Sequence, residues 1–138
     1  MLLRPAMEYE LPLILREAAA FDLDVQLADY RQFMIAEQEQ VLVGFGRIID
    51  HTGFCELATL GVMKNEQRKG IGSALVRALI ENAGANPVLL VTVLPDYFRR
   101  LGFVDHTEEI TEFGNKIRFC LSFGFSPEEV RVMRFKAV

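Results

Sequence analysis

The sequence predicts an α/β fold in which a mixed sheet is flanked by helices. In the middle of the chain, segments rich in β-branched and aromatic residues alternate twice with segments of helical periodicity. Pairs of strand-like segments joined by short turns precede and follow this middle part, as in antiparallel hairpins. A length of 138 residues with 51% apolar residues fits one domain, residues 1–138, around one core.

The first part of the chain predicts two helices and an antiparallel hairpin. LLRPA predicts a short first strand, and Pro12 is placed to open a helix that carries apolar residues as far as Phe21. A second, shorter helix is expected from about residue 25 to residue 31. Three further strands are predicted from their apolar and β-branched content, at residues 33–38, 41–50 and 55–63.

In the second part of the chain, segments with helical periodicity alternate with strand-like segments. Apolar residues recur at helical spacing from Gly70 to Asn82, and Gly84 ends this helix. A continuous apolar run at residues 88–93 predicts a buried strand, and PDYFRRLG predicts a short helix that ends at Gly102. The rest is predicted as a short strand near residues 103–104, a loosely patterned segment at 108–125 and a last strand at 128–137.

Charge and composition exclude several classes of protein. The net charge of −4 disfavours a nucleic-acid partner and suits an amine substrate. The N-terminus lacks the apolar core of a signal peptide, and no apolar run approaches the roughly 20 residues of a membrane span, so we expect a soluble protein with no membrane partner. Cys55 and Cys120 show neither zinc-site nor disulfide spacing. We therefore expect no metal site, and buried thiols in a reducing cytoplasm.

The sequence QRKGIG, residues 67–72, joins a predicted strand to a predicted helix. A helix start presents backbone N–H groups that have no partner within the helix, and Gly70 and Gly72 have no Cβ to keep a phosphate oxygen away from them. Arg68 and Lys69 add positive charge, and Gln67 can hydrogen-bond to neighbouring backbone or to a phosphate oxygen. The motif therefore predicts an anion site. The alternative is that the glycines only shape a tight turn.

Two common phosphate-binding motifs do not fit. A P-loop needs Gly-Lys-Ser/Thr after its glycines, which this turn lacks. The dinucleotide fingerprint needs G-x-G-x-x-G between a strand and a helix, whereas Gly44 and Gly46 lie inside a predicted strand. The remaining candidate is a ligand that carries a pyrophosphate but is bound through neither of these two motifs.

The stretch ELATLGVMKNEQRKGIGSALVRALI resembles the cofactor-binding motif of the GNAT superfamily of acyl-CoA-dependent N-acyltransferases. LRPA, VLVGFGRI and YFRRLGF resemble other conserved parts of the same family, so the likeness covers most of residues 1–105. The resemblance implies a single mixed, mostly antiparallel sheet with a splayed pair of parallel central strands. It also implies an N-acetyltransferase that moves an acetyl group from acetyl-CoA to a primary amine of a small molecule, by direct transfer in a ternary complex. An amino-acid-like acceptor is one option within it.

The resemblance also assigns the residues that bind coenzyme A. It places the pyrophosphate on the turn and helix start, at Gln67, Arg68, Lys69, Gly70, Ile71, Gly72 and Ser73. It places the pantetheine arm along the strand at Leu60, Gly61 and Val62, with Gly61 expected to supply a β-bulge. Thr92 and Phe98 complete the predicted cofactor contacts.

Acyl transfer to an amine needs a base and a donor to the carbonyl oxygen. The resemblance implies Glu56 as the base and the amide of Leu60 as the donor; alternatively, Glu56 faces solvent or pairs with Arg47. Many family members carry a tyrosine as acid where this chain has Phe98. The adjacent Tyr97 is the candidate here, although one helical step of about 100° turns its hydroxyl away.

His51 and His106 are expected to be surface residues in turns. Because the tyrosine is missing, a non-catalytic acyl-CoA-binding sensor or scaffold is the alternative function. A structural domain without a cofactor is a third reading. The acceptor, the acyl length and the oligomeric state stay open, with a homodimer as one option.

Overall fold

The computed structural model of the protein describes residues 1–136. The chain forms two compact units, an N-terminal unit over Met1–Asn86 and a C-terminal unit that begins at Pro87. Each unit contains both strands and helices. The expectation of a single domain stays a prediction.

The N-terminal unit contains four antiparallel strands in chain order, each paired with the next. Two α-helices accompany them, one before the second strand and one after the fourth. Their bounds are β1 Leu2–Pro5, α1 Leu11–Ala20, β2 Phe33–Gln38, β3 Val41–His51, β4 Phe54–Val62 and α2 Ile71–Asn82. The predicted hairpin, both long strands and the long helix are therefore confirmed, with ends within a residue or two.

The two faces of β3 differ in what they contact, because successive side chains of a strand point to opposite faces. On one face a Cβ at Gly44 would lie 3.0 Å from the Leu75 side chain, and one at Gly46 would lie 2.8 Å from the Leu79 side chain. Helix α2 therefore approaches the sheet backbone closely. On the other face Phe45 belongs to a buried core that includes residues of α1 and β2, namely Ile14, Ala18, Phe33 and Ile35.

The C-terminal unit contains three antiparallel strands in which the last strand lies between the other two. Its elements are β5 Val88–Thr92, α3 Pro95–Arg100, β6 Phe103–Asp105, α4 Gly114–Ser122 and β7 Arg131–Phe135. Its core is aromatic: the Phe103 ring lies 5.6 Å from that of Phe98 and 5.4 Å from that of Phe135, both edge to face. Such contacts stabilise beyond the area they bury.

Three expectations need correction. The helix predicted at residues 25–31 is wrong: the chain there is a loop that ends in a 3₁₀ turn at Tyr30–Gln32. The Asp24 carboxylate accepts from the Gln26 amide, and Leu27 has φ +53°, a conformation that no α-helix contains. The loosely patterned segment contains α4, and the last strand covers only Arg131–Phe135. The end of that predicted strand, at Ala137, lies outside the described residues.

Within residues 1–136, no helix is both long and apolar enough to cross a membrane.

Candidate functional site

A β-bulge interrupts the pairing of β3 with β4. Arg47 pairs with Ala58 and Phe45 pairs with Gly61, so two residues, Thr59 and Leu60, lie opposite Gly46 alone. Thr59 has φ +55°, the left-handed conformation found at the first position of one class of bulge. The extra residue bends the strand and re-aims the backbone groups that follow it.

The predicted bulge at Gly61 is therefore wrong by one to two residues. Gly61 is in regular register with Phe45, and a Cβ there would lie 2.6 Å from the Phe45 ring. No side chain fits at that distance, so the glycine leaves space for a core aromatic ring. The bulge itself is formed by Thr59 and Leu60.

The bulge is held by the buried side chain of Arg47. Its Nε donates to the Thr59 hydroxyl at 2.7 Å, and that hydroxyl donates to the Asp24 carbonyl at 2.8 Å. The guanidinium also donates to the carbonyls of Asp24 and Gln26 and to the Gln32 side chain, at 3.0 to 3.3 Å. Burial lowers the pKa of Arg47, and the charges of Asp24 and Glu56 oppose that shift. One cation thus joins the bulge to the loop before β2.

Glu56 lies on β4, four residues before Leu60 and on the same face of the sheet as Arg47. Its side chain is only 6% exposed, and its Oε1 lies 2.9 Å from Nε2 of His51. Glu56 therefore does not face solvent. The hydrogen bonds of Arg47 go to the groups named above, so the predicted alternative pairing with Arg47 is replaced by pairing with His51.

The expectation that His51 is a surface residue in a turn is wrong. His51 is the last residue of β3 and pairs with Phe54 across the hairpin. Its side chain is 20% exposed, and its ring stacks on that of Phe54 with centroids 4.7 Å apart. The short turn His-Thr-Gly and the period of two together put His51 and Glu56 on one face, so the sequence contained a signal for this pair.

Two residues of the turn before α2 adopt the left-handed conformation. Arg68 has φ +69° and Gly70 has φ +82°, and α2 starts at Ile71. A Cβ at Gly70 would meet no atom within 4 Å, so the space beside the Gly70 backbone is open. The first N–H groups of a helix have no partner within it, and its dipole favours an anion there.

The side chains of this turn have separate roles. Gln67 donates to the Val62 carbonyl at 2.9 Å, so of the two predicted partners it uses backbone. Lys69 pairs with Glu66 at 3.0 Å, which offsets part of its charge. The Arg68 side chain is exposed to solvent. Gln67 thereby ties the turn to the end of β4.

Three predicted site residues belong to the C-terminal unit. Thr92 is buried, and its hydroxyl accepts from the Leu94 amide at 2.8 Å. Phe98 is buried in the aromatic core, and the half-buried Tyr97 ring meets it edge to face at 5.1 Å. The predicted cofactor contacts of Thr92 and Phe98, and the acid role of Tyr97, stay predictions.

The C-terminal unit also contains a cleft that the sequence did not indicate. Its volume is about 830 Å³, and it lies between the segment that follows β6 and the start of β7. Its charged lining residues are Asp105, Glu108, Glu109, Glu112, Arg118 and Arg131. His106 lines it too, and its Nε2 is the one buried side-chain nitrogen or oxygen within residues 1–136 that has no hydrogen-bond partner. Over the same residues, no group of three or more His, Cys, Asp or Glu side chains is placed to hold a metal ion.

Comparison with known proteins gives one family. The family model described as Acetyltransferase (GNAT) domain matches residues 29–105, which is more than half of the chain. A curated relative, the uncharacterized N-acetyltransferase CT2212 of Chlorobaculum tepidum, is 29% identical over 83 residues, 57% of this chain and 54% of that protein. The chain thus spans about half the length of this curated relative.

Solved structures show the same fold. Rv2747 from Mycobacterium tuberculosis, crystallised in complex with CoA, has a TM-score of 0.74 and 19% identity, and the match covers 100% of both chains. N-acetylglutamate synthase from Neisseria gonorrhoeae, complexed with coenzyme A and N-acetyl-glutamate, has a TM-score of 0.75 and 19% identity over 97% of this chain and 34% of that one. At such identity the likeness concerns the fold alone, and it confirms the predicted GNAT-like α/β fold with its mixed, mostly antiparallel sheet. Because the GNAT family model matches more than half of the chain, the chain belongs to the GNAT acetyltransferase family.

Proposed function

We propose that the protein is an N-acetyltransferase that transfers the acetyl group of acetyl-CoA directly to a primary amine of a small molecule, in a ternary complex. One observation supports this above the others. Strand β4 carries a buried carboxylate at Glu56, a bulge at Thr59 and Leu60, and then leads into an open helix start at Gly70. The proposed base, backbone donor and anion site thus follow one another along β4 and the turn after it.

The residues of the turn fit the diphosphate of coenzyme A. The backbone at Gly70 is open, and the amides from Gln67 to Ser73 would hold phosphate oxygens at the start of α2. The exposed Arg68 adds a cation beside them. The pantetheine arm would lie along Leu60 to Val62, after the bulge.

The acceptor is proposed to be amino-acid-like. Two structures of the gonococcal N-acetylglutamate synthase, one with N-acetyl-glutamate and one with L-arginine, share this fold over nearly all of the present chain. An amine also suits the net charge of −4.

The buried thiol of Cys55 suits the reducing cytoplasm, which we propose as the compartment.

When bound, acetyl-CoA supplies a thioester carbonyl carbon that an amine can attack. The Leu60 amide would donate to the carbonyl oxygen as negative charge develops there. Glu56 would take the proton that the amine nitrogen loses as its bond to the acetyl carbon forms and the bond from carbon to sulfur breaks. Tyr97 is proposed to protonate the leaving thiolate, so that the products are the acetylated amine and the free thiol.

Glu56 acts on the amine through water in this scheme. Glu56 and Leu60 are four residues apart, and at about 3.3 Å per residue of strand their backbones are roughly 13 Å apart at most. The glutamate side chain spans part of that distance, and a bridging water spans the rest. Because the carboxylate is buried, it meets few competing proton donors from bulk solvent.

The test is to incubate the protein with acetyl-CoA and a panel of small amines and to follow the release of free thiol. Glu56→Gln should lower kcat by about 100-fold or more, since positioned bases contribute roughly 10² to 10⁴. Glu81→Gln is the matched control, because Glu81 is exposed on α2 of the same unit, and it should keep wild-type activity. Tyr97→Phe tests the acid in the same assay.

A non-catalytic acyl-CoA-binding sensor is the second candidate. It is favoured by Phe98, which has no hydroxyl and is buried where many family members carry a tyrosine. Calorimetry with coenzyme A separates the two candidates: binding heat without thiol release from any amine supports the sensor, whereas no heat and no thermal shift contradict both. Sedimentation of the same samples tests the homodimer.

A further inference from the structure

We propose that His51 is a positioning residue for Glu56: its hydrogen bond to Oε1 fixes the orientation of the carboxylate that takes, through water, the proton of the amine. This rests on the proposed function, in which Glu56 is the base. It adds a residue at the solvent end of the hairpin that takes part in the reaction through Glu56 and does not touch the substrate.

The geometry that carries this inference lies within one hairpin. The Nε2 of His51 is 2.9 Å from Oε1 of Glu56. The His51 ring stacks on Phe54 at 4.7 Å with an angle of 21° between the planes. The stacking restrains the plane of the imidazole, and the imidazole restrains the carboxylate. Along β4, Phe54 and Glu56 point to the same face, so the three side chains form one contiguous group.

The direction of the hydrogen bond follows from the chemistry of the two groups. An ionised carboxylate only accepts hydrogen bonds, so Nε2 must carry the proton and donate it. Oε1 is then engaged at 2.9 Å, so the hydrogen bond sets the orientation of the carboxylate relative to the hairpin. The exposed fractions of 20% for His51 and 6% for Glu56 put the imidazole on the solvent side and the carboxylate on the buried side.

Other charges around Glu56 have assigned partners. From β3, Arg47 acts on Glu56 through its charge but donates to Thr59 and to the loop before β2. Asp24 in that loop is close enough to act on Arg47. Helix α1 also packs against β4, and its charged side chains, Arg16 and Glu17, contact each other at 3.9 Å.

The experiment compares kcat and the KM for acetyl-CoA in the wild type and three variants. His51→Phe keeps a ring that can stack on Phe54 but loses the donor. His51→Gln keeps an N–H donor of similar reach but loses the ring. His106→Gln is the matched control, because it removes the other histidine of this chain, which has two, from a different unit.

We expect His51→Phe to lower kcat about tenfold, which is less than the roughly 10² to 10⁴ that a positioned base contributes, with an unchanged KM for acetyl-CoA. His51→Gln should recover most of that kcat, because its side-chain N–H can still donate to Glu56. His106→Gln should keep the rate of the wild type. Thermal unfolding of each variant checks that the fold is retained.

Three results with an active wild type would overturn the inference. One is a kcat that is unchanged in His51→Phe. Another is an equal loss of kcat and melting temperature in both His51 variants, which indicates a structural role only. If His51→Phe does not fold, His51→Gln decides alone, and a folded His51→Gln that loses as much kcat as Glu56→Gln refutes the role of the donor. A wild type that acetylates no amine would overturn the proposed function first and this inference with it, whereas the other outcomes leave the function standing.

Discussion

Replacing Arg47 with alanine should destabilise the N-terminal unit more than the loss of any exposed arginine. The guanidinium makes five hydrogen bonds, to the Thr59 hydroxyl, the Gln32 side chain and the carbonyls of Asp24 and Gln26. Hydrogen bonds to a charged group contribute about 1.5 to 3 kcal/mol each. The cost of burying the cation, which also lowers its pKa, offsets much of that sum.

The expected size of the loss is about 3 kcal/mol. Breaking a buried ion pair by removing one partner costs about 3 to 5 kcal/mol, but here the groups left behind are neutral. Gln26 is exposed, so its carbonyl can bind water, whereas the Thr59 hydroxyl is buried and loses its donor. These two facts favour the lower end of the range. For a chain of this size the melting temperature should fall by about 10 °C.

The assay is urea denaturation followed by circular dichroism, with Arg16→Ala as the control. The Arg16 side chain is 75% exposed and contacts Glu17 only at 3.9 Å, so its loss should change the free energy of unfolding by less than about 0.5 kcal/mol. Arg47→Met, which keeps the apolar stem, should lose less than Arg47→Ala. If Arg47→Ala were as stable as Arg16→Ala, water would replace the guanidinium at no cost and the reasoning about the bulge would be wrong.

Three further predictions concern the turn, acid stability and a thiol. Gly70→Ala should lower the free energy of unfolding by about 1 kcal/mol, because φ is +82° while the added Cβ meets nothing within 4 Å; thermal denaturation measures it, and no loss would contradict the left-handed turn. Arg4 holds the pKa of Glu10 below its usual 4.5, so this stabilisation is present above about pH 4.5 and is lost as the pH falls through the lower, folded-state value. Urea denaturation at neutral and acid pH should therefore show a smaller acid loss in Glu10→Gln, and an equal loss would contradict the pairing. Burial raises the pKa of the Cys55 thiol, so iodoacetamide should label it more slowly than Cys120, as read by mass spectrometry; equal rates would contradict its burial.

The family and most of the fold were predictable from the sequence because they depend on local pattern. Strand β2 was predicted at residues 33–38 and is found at Phe33–Gln38, and α2 was predicted to within a residue of its start. Gly70 was singled out because it has no Cβ to keep a phosphate oxygen away from the helix start, and it adopts φ +82°. In each case the cause lies within a few neighbours along the chain.

The errors have a different cause. The loop that was predicted as a helix at residues 25–31 is held by Arg47. The guanidinium donates to the carbonyl of Asp24, just before that loop and 23 residues away in sequence. The bulge was assigned to Gly61 because glycine often marks one, but that glycine leaves space for the ring of Phe45. At both positions, contacts between residues that are distant in sequence therefore outweighed local conformational propensity.

By itself, the sequence determined most of the strands, the long helix α2, the turn before it and the family, because periodicity and glycine placement act over short distances. Only the tertiary structure decided that Thr59 forms the bulge, that Arg47 holds it and that Glu56 is buried against His51. Those features depend on which side chains meet across paired strands, and strand register is set by the packing of the whole sheet.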